Sequence, residues 1–308
     1  MPNPMTTTMD LYTPFLAYRD AIFKAHCAYV LETYLDPWIH FFYAQPARYA
    51  GLEAVIVDTR PSRVLRAVIL NAMLMLPAGT PIILITSEQA HEAMTNLLGD
   101  LGDGLEIRAQ PLGDRFQARA YNRLLTNCEF WHDLSADTIL IFQSDSLLLT
   151  PLPESFLKVP YLGAPWHIDG SLHIDFPCNQ DDPDGSAAAD EMLIARASLE
   201  LSSGLADVVP HGYGNGGLSL RNRVLMASIA AEQTRADWEP EDVFFSRHLP
   251  SYCKELSPLE LAQAFATEAI YSDAIGIHAS WKYLPAEQQA SLYEKHIKSL
   301  IAMAEGLM

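Results

Sequence analysis

Thr138-Ile139-Leu140-Ile141-Phe142-Gln143-Ser144-Asp145-Ser146 is the stretch on which the fold turns. Its first five residues form a largely apolar run with three β-branched residues, the pattern of a strand buried on both faces of a parallel sheet. A carboxylate follows at once, flanked by two hydroxyls. In open α/β sheets, ligands lie beyond the carboxyl ends of the strands. Asp145 is therefore expected at a ligand site, where it can hold Mg²⁺ or Mn²⁺ against a diphosphate. Ser144 and Ser146 can hydrogen-bond phosphate, ribose or metal-bound water. A turn-capping aspartate is the plainer alternative.

Upstream, the same rhythm repeats. Residues 54–57 read as a strand ending at Asp58, and Pro61-Ser62 opens a helix to about residue 76. Residues 81–86 read as a strand, 89–98 as a helix, 106–109 as a third strand and 116–128 as a helix. Apolar strands alternating with helices predict an α/β fold with a mainly parallel central sheet flanked by helices. Residues 1–50, rich in aromatics such as Phe15, Tyr18 and Trp38, predict a helical N-terminal appendage. A membrane-surface helix or a homodimer contact are further uses for it. Residues 51–285 form the main domain, and 286–308 a C-terminal helix packed on it. Prolines at 151, 153, 160, 165 and 177 break the second half into short pieces. Residues 168–191 carry seven acids and no Lys or Arg, which predicts a solvated loop or lid.

Composition narrows the function. The 308 residues carry a formal charge of −18, which argues against non-specific nucleic-acid binding. Cysteines at 27, 128, 178 and 253 form no CxxC pair, so neither a zinc knuckle nor a disulfide scaffold is expected. The first ten residues lack the basic start of a signal peptide. The longest apolar run, residues 67–78, contains Asn71 and is too short to span a bilayer. A cytoplasmic protein in a reducing compartment is expected, with a peripheral position at the inner membrane face as a variant.

Three downstream motifs can add chemistry. Gly214-Asn215-Gly216-Gly217 permits unusual backbone angles and close ligand approach, with Asn215 able to orient a sugar hydroxyl. Glu241-Asp242 precedes an apolar helical start, where acids can cap the helix or serve as a general base. His278 can give a metal held by Asp145 a second ligand. Lys282 can neutralise phosphate, and Trp281 can wall off the site.

In their order, these pieces resemble the DUF5672 family, a glycosyltransferase-like group. The likeness runs through Ala54-Val55-Ile56-Val57-Asp58-Thr59-Arg60-Pro61, Tyr121-Asn122-Arg123, Gln143-Ser144-Asp145-Ser146 and Tyr161-Leu162-Gly163-Ala164-Pro165-Trp166. It resumes at Gly214-Asn215-Gly216-Gly217, Pro240-Glu241-Asp242 and His278-Ala279-Ser280-Trp281, covering most of residues 54–285. The resemblance implies a GT-A-like fold with Gln143-Ser144-Asp145 in place of Asp-x-Asp. Gln143 then replaces the first acid, which puts the need for Mn²⁺ or Mg²⁺ in question. It implies Asp145 and His278 as metal ligands. Asp58, Arg60, Arg123, Gln143, Ser144, Asp145, Ser146 and Lys282 become the donor-side candidates. Trp166, Asn215, Gly216, Gly217 and Trp281 fall on the acceptor side, with Asp242, then Glu241, as the base. The expected activity is sugar transfer from a nucleotide sugar donor to a glycan, lipid-linked or small-molecule hydroxyl, with inversion. A sugar-phosphate nucleotidyltransferase and a non-catalytic nucleotide-sugar-binding protein are the alternatives.

Overall fold

A computed structural model describes residues 12–39, 49–112, 118–166, 214–236 and 239–307. The acidic stretch 168–191 lies outside them. The chain folds as a mixed α/β structure with a central, mainly parallel sheet flanked by helices. Its strands are β1 (Leu52–Val57), β2 (Ile82–Ser87), β3 (Leu105–Gln110), β4 (Thr138–Phe142), β6 (Tyr161–Ala164) and β7 (Asn215–Asn222). Their spatial order is β3-β2-β1-β4-β7-β6. The β3–β2, β2–β1 and β1–β4 pairings are parallel, whereas β7 runs antiparallel to both neighbours. The start of β7 therefore meets the end of β4, and Gln143 N–H donates to the Gly217 carbonyl at 2.9 Å.

Period-two alternation loads both faces of the sheet. Leu52, Ala54, Ile56, Leu140 and Phe142 face one core, with residues from the helices α1 (Tyr12–Val30), α2 (Arg63–Met75) and α9 (Ala286–Leu307). Val55, Val57, Ile139 and Ile141 face the other. There they meet Trp131 of α5 (Cys128–His132), Met226 of α6 (Arg223–Glu232) and Phe244 and Phe245 of α7 (Glu241–Tyr252). Each such burial contributes about 1.5–3 kcal/mol, so both faces favour one register. Side-chain caps open the helices: Ser62 accepts from Leu65 N–H, and Ser87, at the end of β2, from Ala90 N–H at the start of α3 (Glu88–Leu98).

Two expectations need correction. A single helix over 116–128 is instead α4 (Ala118–Leu125) and the separate α5, because Asn127 accepts from Glu129 N–H and starts a new helix. A second sheet was also not foreseen. In it β5 (Ser146–Leu148) pairs antiparallel with β9 (Gly276–His278), which runs parallel to β8 (Ala266–Thr267) that follows α8 (Leu259–Phe265). Strands of two or three residues leave no readable period. This small sheet sets Ser146 opposite His278, and Ala279 N–H donates to the Asp145 carbonyl at 2.9 Å. No helix among the described residues is long and apolar enough to cross a membrane.

Candidate active site

The ends of β1 and β4 bring Asp58 and the Gln143–Asp145 turn to one edge of the sheet, where β7 begins. Asp58 is buried and holds Arg60 through Nε and Nη2, each at 3.0 Å. The Arg60 guanidinium extends outward, 3.4 Å from Ser144 Oγ. Ser146 is a correction: its hydroxyl is buried and closes the turn on Gln143, donating to the Gln143 carbonyl at 2.7 Å. The hydroxyl is turned inward, away from Asp145 and Arg60.

Asp145 is partly exposed. Its Oδ1 lies 3.3 Å from His278 Nε2, and its Oδ2 lies 3.7 Å from Lys282 Nζ. Burial opposes ionisation of Asp145. The charge and hydrogen bond of His278, followed by Lys282, outweigh it and hold the carboxyl well below the usual carboxylate range. For His278, burial likewise opposes the charged form, but Asp145 and then Glu268 raise the imidazole to about 9. Nδ1 of His278 faces Glu268 Oε1 at 3.2 Å, while Nε2 meets Gln143 Oε1 at 3.3 Å. Trp281 packs against the core, its ring 5.3 Å from the Lys282 ammonium.

The glycine motif is a packing device as well as a turn. Asn215 Oδ1 accepts from Gly217 N–H at 2.7 Å, and Asn215 Nδ2 donates to Glu268 Oε1 at 3.1 Å. A side chain at Gly217 would overlap the His278 ring, and one at Gly216 would overlap Glu241 Oε1 and crowd Asp242. Two adjacent residues thus separate the two halves of the site by one backbone step.

On the Gly216 side, Glu241 is engaged in a buried, two-pronged pair with Arg221, with Nη2 at 2.9 Å from Oε1. Arg221 is fully buried and lies over the rings of Tyr161, Phe245 and Trp131 at 4.9, 5.7 and 5.9 Å. Asp242 is only partly buried. It accepts from Gly216 N–H at 3.0 Å and Val243 N–H at 2.8 Å. Burial and then the Glu241 charge raise it to about 7 against those hydrogen bonds and Arg221. Trp166 stands just past β6, whose Ala164 pairs with Asn215. Arg123 is exposed on α4, and the residues of that helix that reach the site are its neighbours. Asn122 Oδ1 accepts from Glu241 N–H at 3.2 Å.

Sequence reading missed Glu268 and Arg221 as site residues and gave Asn122 no role. Among the described residues, no three His, Cys, Asp or Glu side chains gather as a metal-binding group.

The DUF5672 family model, described as a protein of unknown function, matches residues 107–284, and the chain belongs to that family. No curated protein matches it in sequence. Among solved structures it is similar to glucosyl-3-phosphoglycerate synthase from Mycobacterium tuberculosis in complex with Mn²⁺, UDP and glucosyl-3-phosphoglycerate. There the identity is 11% and the TM-score 0.41, over 82% of this chain and 79% of that one. It is also similar to mouse xyloside xylosyltransferase 1 in its apo form, at 14% identity and TM-score 0.38, over 67% of this chain and 83% of that one.

Proposed function

We propose that this chain is a glycosyltransferase that moves a sugar from a nucleotide diphosphate sugar to a hydroxyl acceptor. One observation carries the reading: consecutive glycines face His278, which holds Asp145, and the Glu241–Asp242 pair. The cation-rich side and the Asp242 carboxylate, which accepts only backbone N–H groups among the described residues, thus flank adjacent residues of one strand. Asp58 and Arg60 at the end of β1 border the donor side.

Asp242 takes the proton of the acceptor hydroxyl. The freed oxygen attacks the anomeric carbon as the bond from that carbon to the diphosphate oxygen breaks. The nucleoside diphosphate leaves with the bonding electrons, and Lys282 and Arg60 offset its charge. Attack in line from the far side inverts the anomeric configuration. Glu241 serves through Arg221: by neutralising that cation it leaves Asp242 without a counter-ion. Asp145, together with His278 once its imidazole gives up the extra proton, would hold Mn²⁺ or Mg²⁺. Such an ion would supply Lewis-acid stabilisation of the leaving diphosphate.

The test is incubation with a panel of nucleotide sugars, Mn²⁺ and hydroxyl acceptors, reading nucleoside diphosphate release and the product's anomeric form. Release with inversion is expected. A retained configuration would remove Asp242 as base. Pyrophosphate release from a nucleoside triphosphate would point to nucleotidyl transfer instead, and donor binding without turnover to a binding protein.

A further inference from the structure

Behind the small sheet, a chain of hydrogen bonds joins the two terminal helices to the strand that follows Asp145. β5 lies at the edge of that sheet, with β9 on one side. Asn71 of α2 takes the other side. Its Oδ1 accepts from Leu148 N–H and its Nδ2 donates to the Leu148 carbonyl, each at 2.9 Å. The side-chain amide stands in for a neighbouring strand. Asn71 Nδ2 also meets His296 Nε2 of α9 at 2.9 Å, and His296 Nδ1 meets His26 Nε2 of α1 at 3.0 Å. All three side chains are buried.

The backbone of β5 fixes every proton in this chain. Leu148 sets which end of the Asn71 amide is nitrogen, so His296 accepts at Nε2 and carries its proton on Nδ1. That N–H donates to His26 Nε2, so His26 also carries its proton on Nδ1. One further proton has no place: on His296 it sets an N–H against the Asn71 N–H, and on His26 an N–H against His296 Nδ1–H. The surroundings do not offset such a charge. On α1, buried Cys27 is a neutral thiol pushed up to about 12, and Tyr293 of α9 stacks on His26 with ring centroids 4.2 Å apart. Arg19 acts on Tyr293. The acids Asp20, Glu32, Asp36 and Asp273 pair with Lys24, Arg63, Arg66 and Lys295. Burial holds His26 down to about 4, and burial and then His26 hold His296 down to about 3. An unfolded histidine titrates near 6.5, so the fold loses stability as pH falls from there through both lowered values.

We propose that His26, His296 and Asn71 form a positioning relay through which the terminal helices hold β5, and with it the Asp145 turn, against His278. Ser146, the first residue of β5, follows Asp145 directly and pairs with His278. α1 also reaches the other cation of that side, since Arg19 Nη1 donates to the Lys282 carbonyl at 3.4 Å. The helices at the two ends of the chain are thus part of the frame of the donor side. The effect on donor binding rests on the reading under Proposed function; the relay itself does not.

The experiment has two arms on the full chain. In the first, ¹⁵N NMR of the histidine rings reads tautomer and titration in the native protein, with His26→Gln and His296→Leu assigning the signals. His26 and His296 are expected as neutral Nδ1–H tautomers that take up no proton between pH 8 and about 5. An Nε2–H tautomer at His296, or its titration near 6.5, overturns the relay whether or not a variant folds. In the second arm, amide hydrogen exchange and binding of UDP, GDP, ADP and CDP are compared in the native protein and in His296→Leu that circular dichroism shows to be folded. Exchange at Leu148 is expected to quicken at least about tenfold while β2 is unchanged. The diphosphate that the native protein binds is expected to bind at least about threefold more weakly. Native exchange at Leu148 in the folded variant overturns the hold on β5. Faster exchange with unchanged diphosphate affinity overturns the positioning role. If the native protein binds no diphosphate, the donor reading fails by itself, and tautomer and exchange still decide the relay.

Discussion

The two halves of the candidate site use the same kinds of group to opposite ends. Around Asp145, the carboxylate faces His278 and Lys282, and it is held ionised well below the usual carboxylate range. One backbone step away, the cation of the second half is already spent. Arg221 is buried among three aromatic rings and locked onto Glu241, and Asp242 rises to about 7 through burial first and then the Glu241 charge beside it. Two carboxylates whose environments push them apart are the usual basis of divided roles in a site. On the proposed reading, Asp145 stays anionic to order cations and donor, while Asp242, raised to about 7, accepts a proton near neutral pH. Both acids are opposed by burial; at Asp145 the charges of His278 and Lys282 outweigh it, whereas at Asp242 the Glu241 charge adds to it.

The comparison breaks most visibly at Arg221. Arg221→Met leaves Glu241 buried without its partner, and a loss of about 3–5 kcal/mol in unfolding free energy is expected by chemical denaturation. A loss under about 1 kcal/mol would mean that the pair is not the keystone described. Next comes His278→Ala, which removes the link between Asp145 and Glu268. Donor affinity, measured by calorimetry, should fall at least about tenfold in protein that circular dichroism shows to be folded.

The Asp242 side is sharpened by pH. A base must be deprotonated to act, so kcat/KM should rise about tenfold per pH unit below 7 and level off above it. A profile flat from pH 5 to 8 would exclude an acid raised to that range. The smallest effect is on stability. Asp242 is raised in the fold, so the folded state holds its proton where the unfolded chain has lost it. Its ionisation therefore costs stability as pH climbs from the ordinary carboxylate range through about 7, and that cost is fully present above. Asp242→Asn should melt about 2 °C or more above the native protein at pH 8, with the gain vanishing near pH 4.

The sheet was legible because its strands are short apolar runs ended by polar residues, as at Val57-Asp58 and Phe142-Gln143. The turn at Gln143–Asp145 and the paired glycines stood out for the same local reason. Of the partners made across distance, the sequence suggested His278 beside Asp145 and hid the rest. Gln143 and His278 are 135 positions apart, and their meeting depends on a small sheet of two- and three-residue strands. Glu268 follows one of those strands and looks like any surface acid until the fold sets it behind His278. Arg221 reads as a strand-end charge, yet it is buried because Glu241 and three aromatic rings close around it. Ser146 misled in the other direction: a hydroxyl beside the key acid turned inward to close its own turn.

The central claim is that one half holds the donor and the other moves the proton. Asp242→Asn tests it most directly, with turnover and donor dissociation constant measured on the same preparation. The account predicts a kcat lower by about 10²–10⁴-fold, with donor affinity within roughly threefold of the native protein. Unchanged turnover, or a donor affinity that collapses with it, would contradict that division.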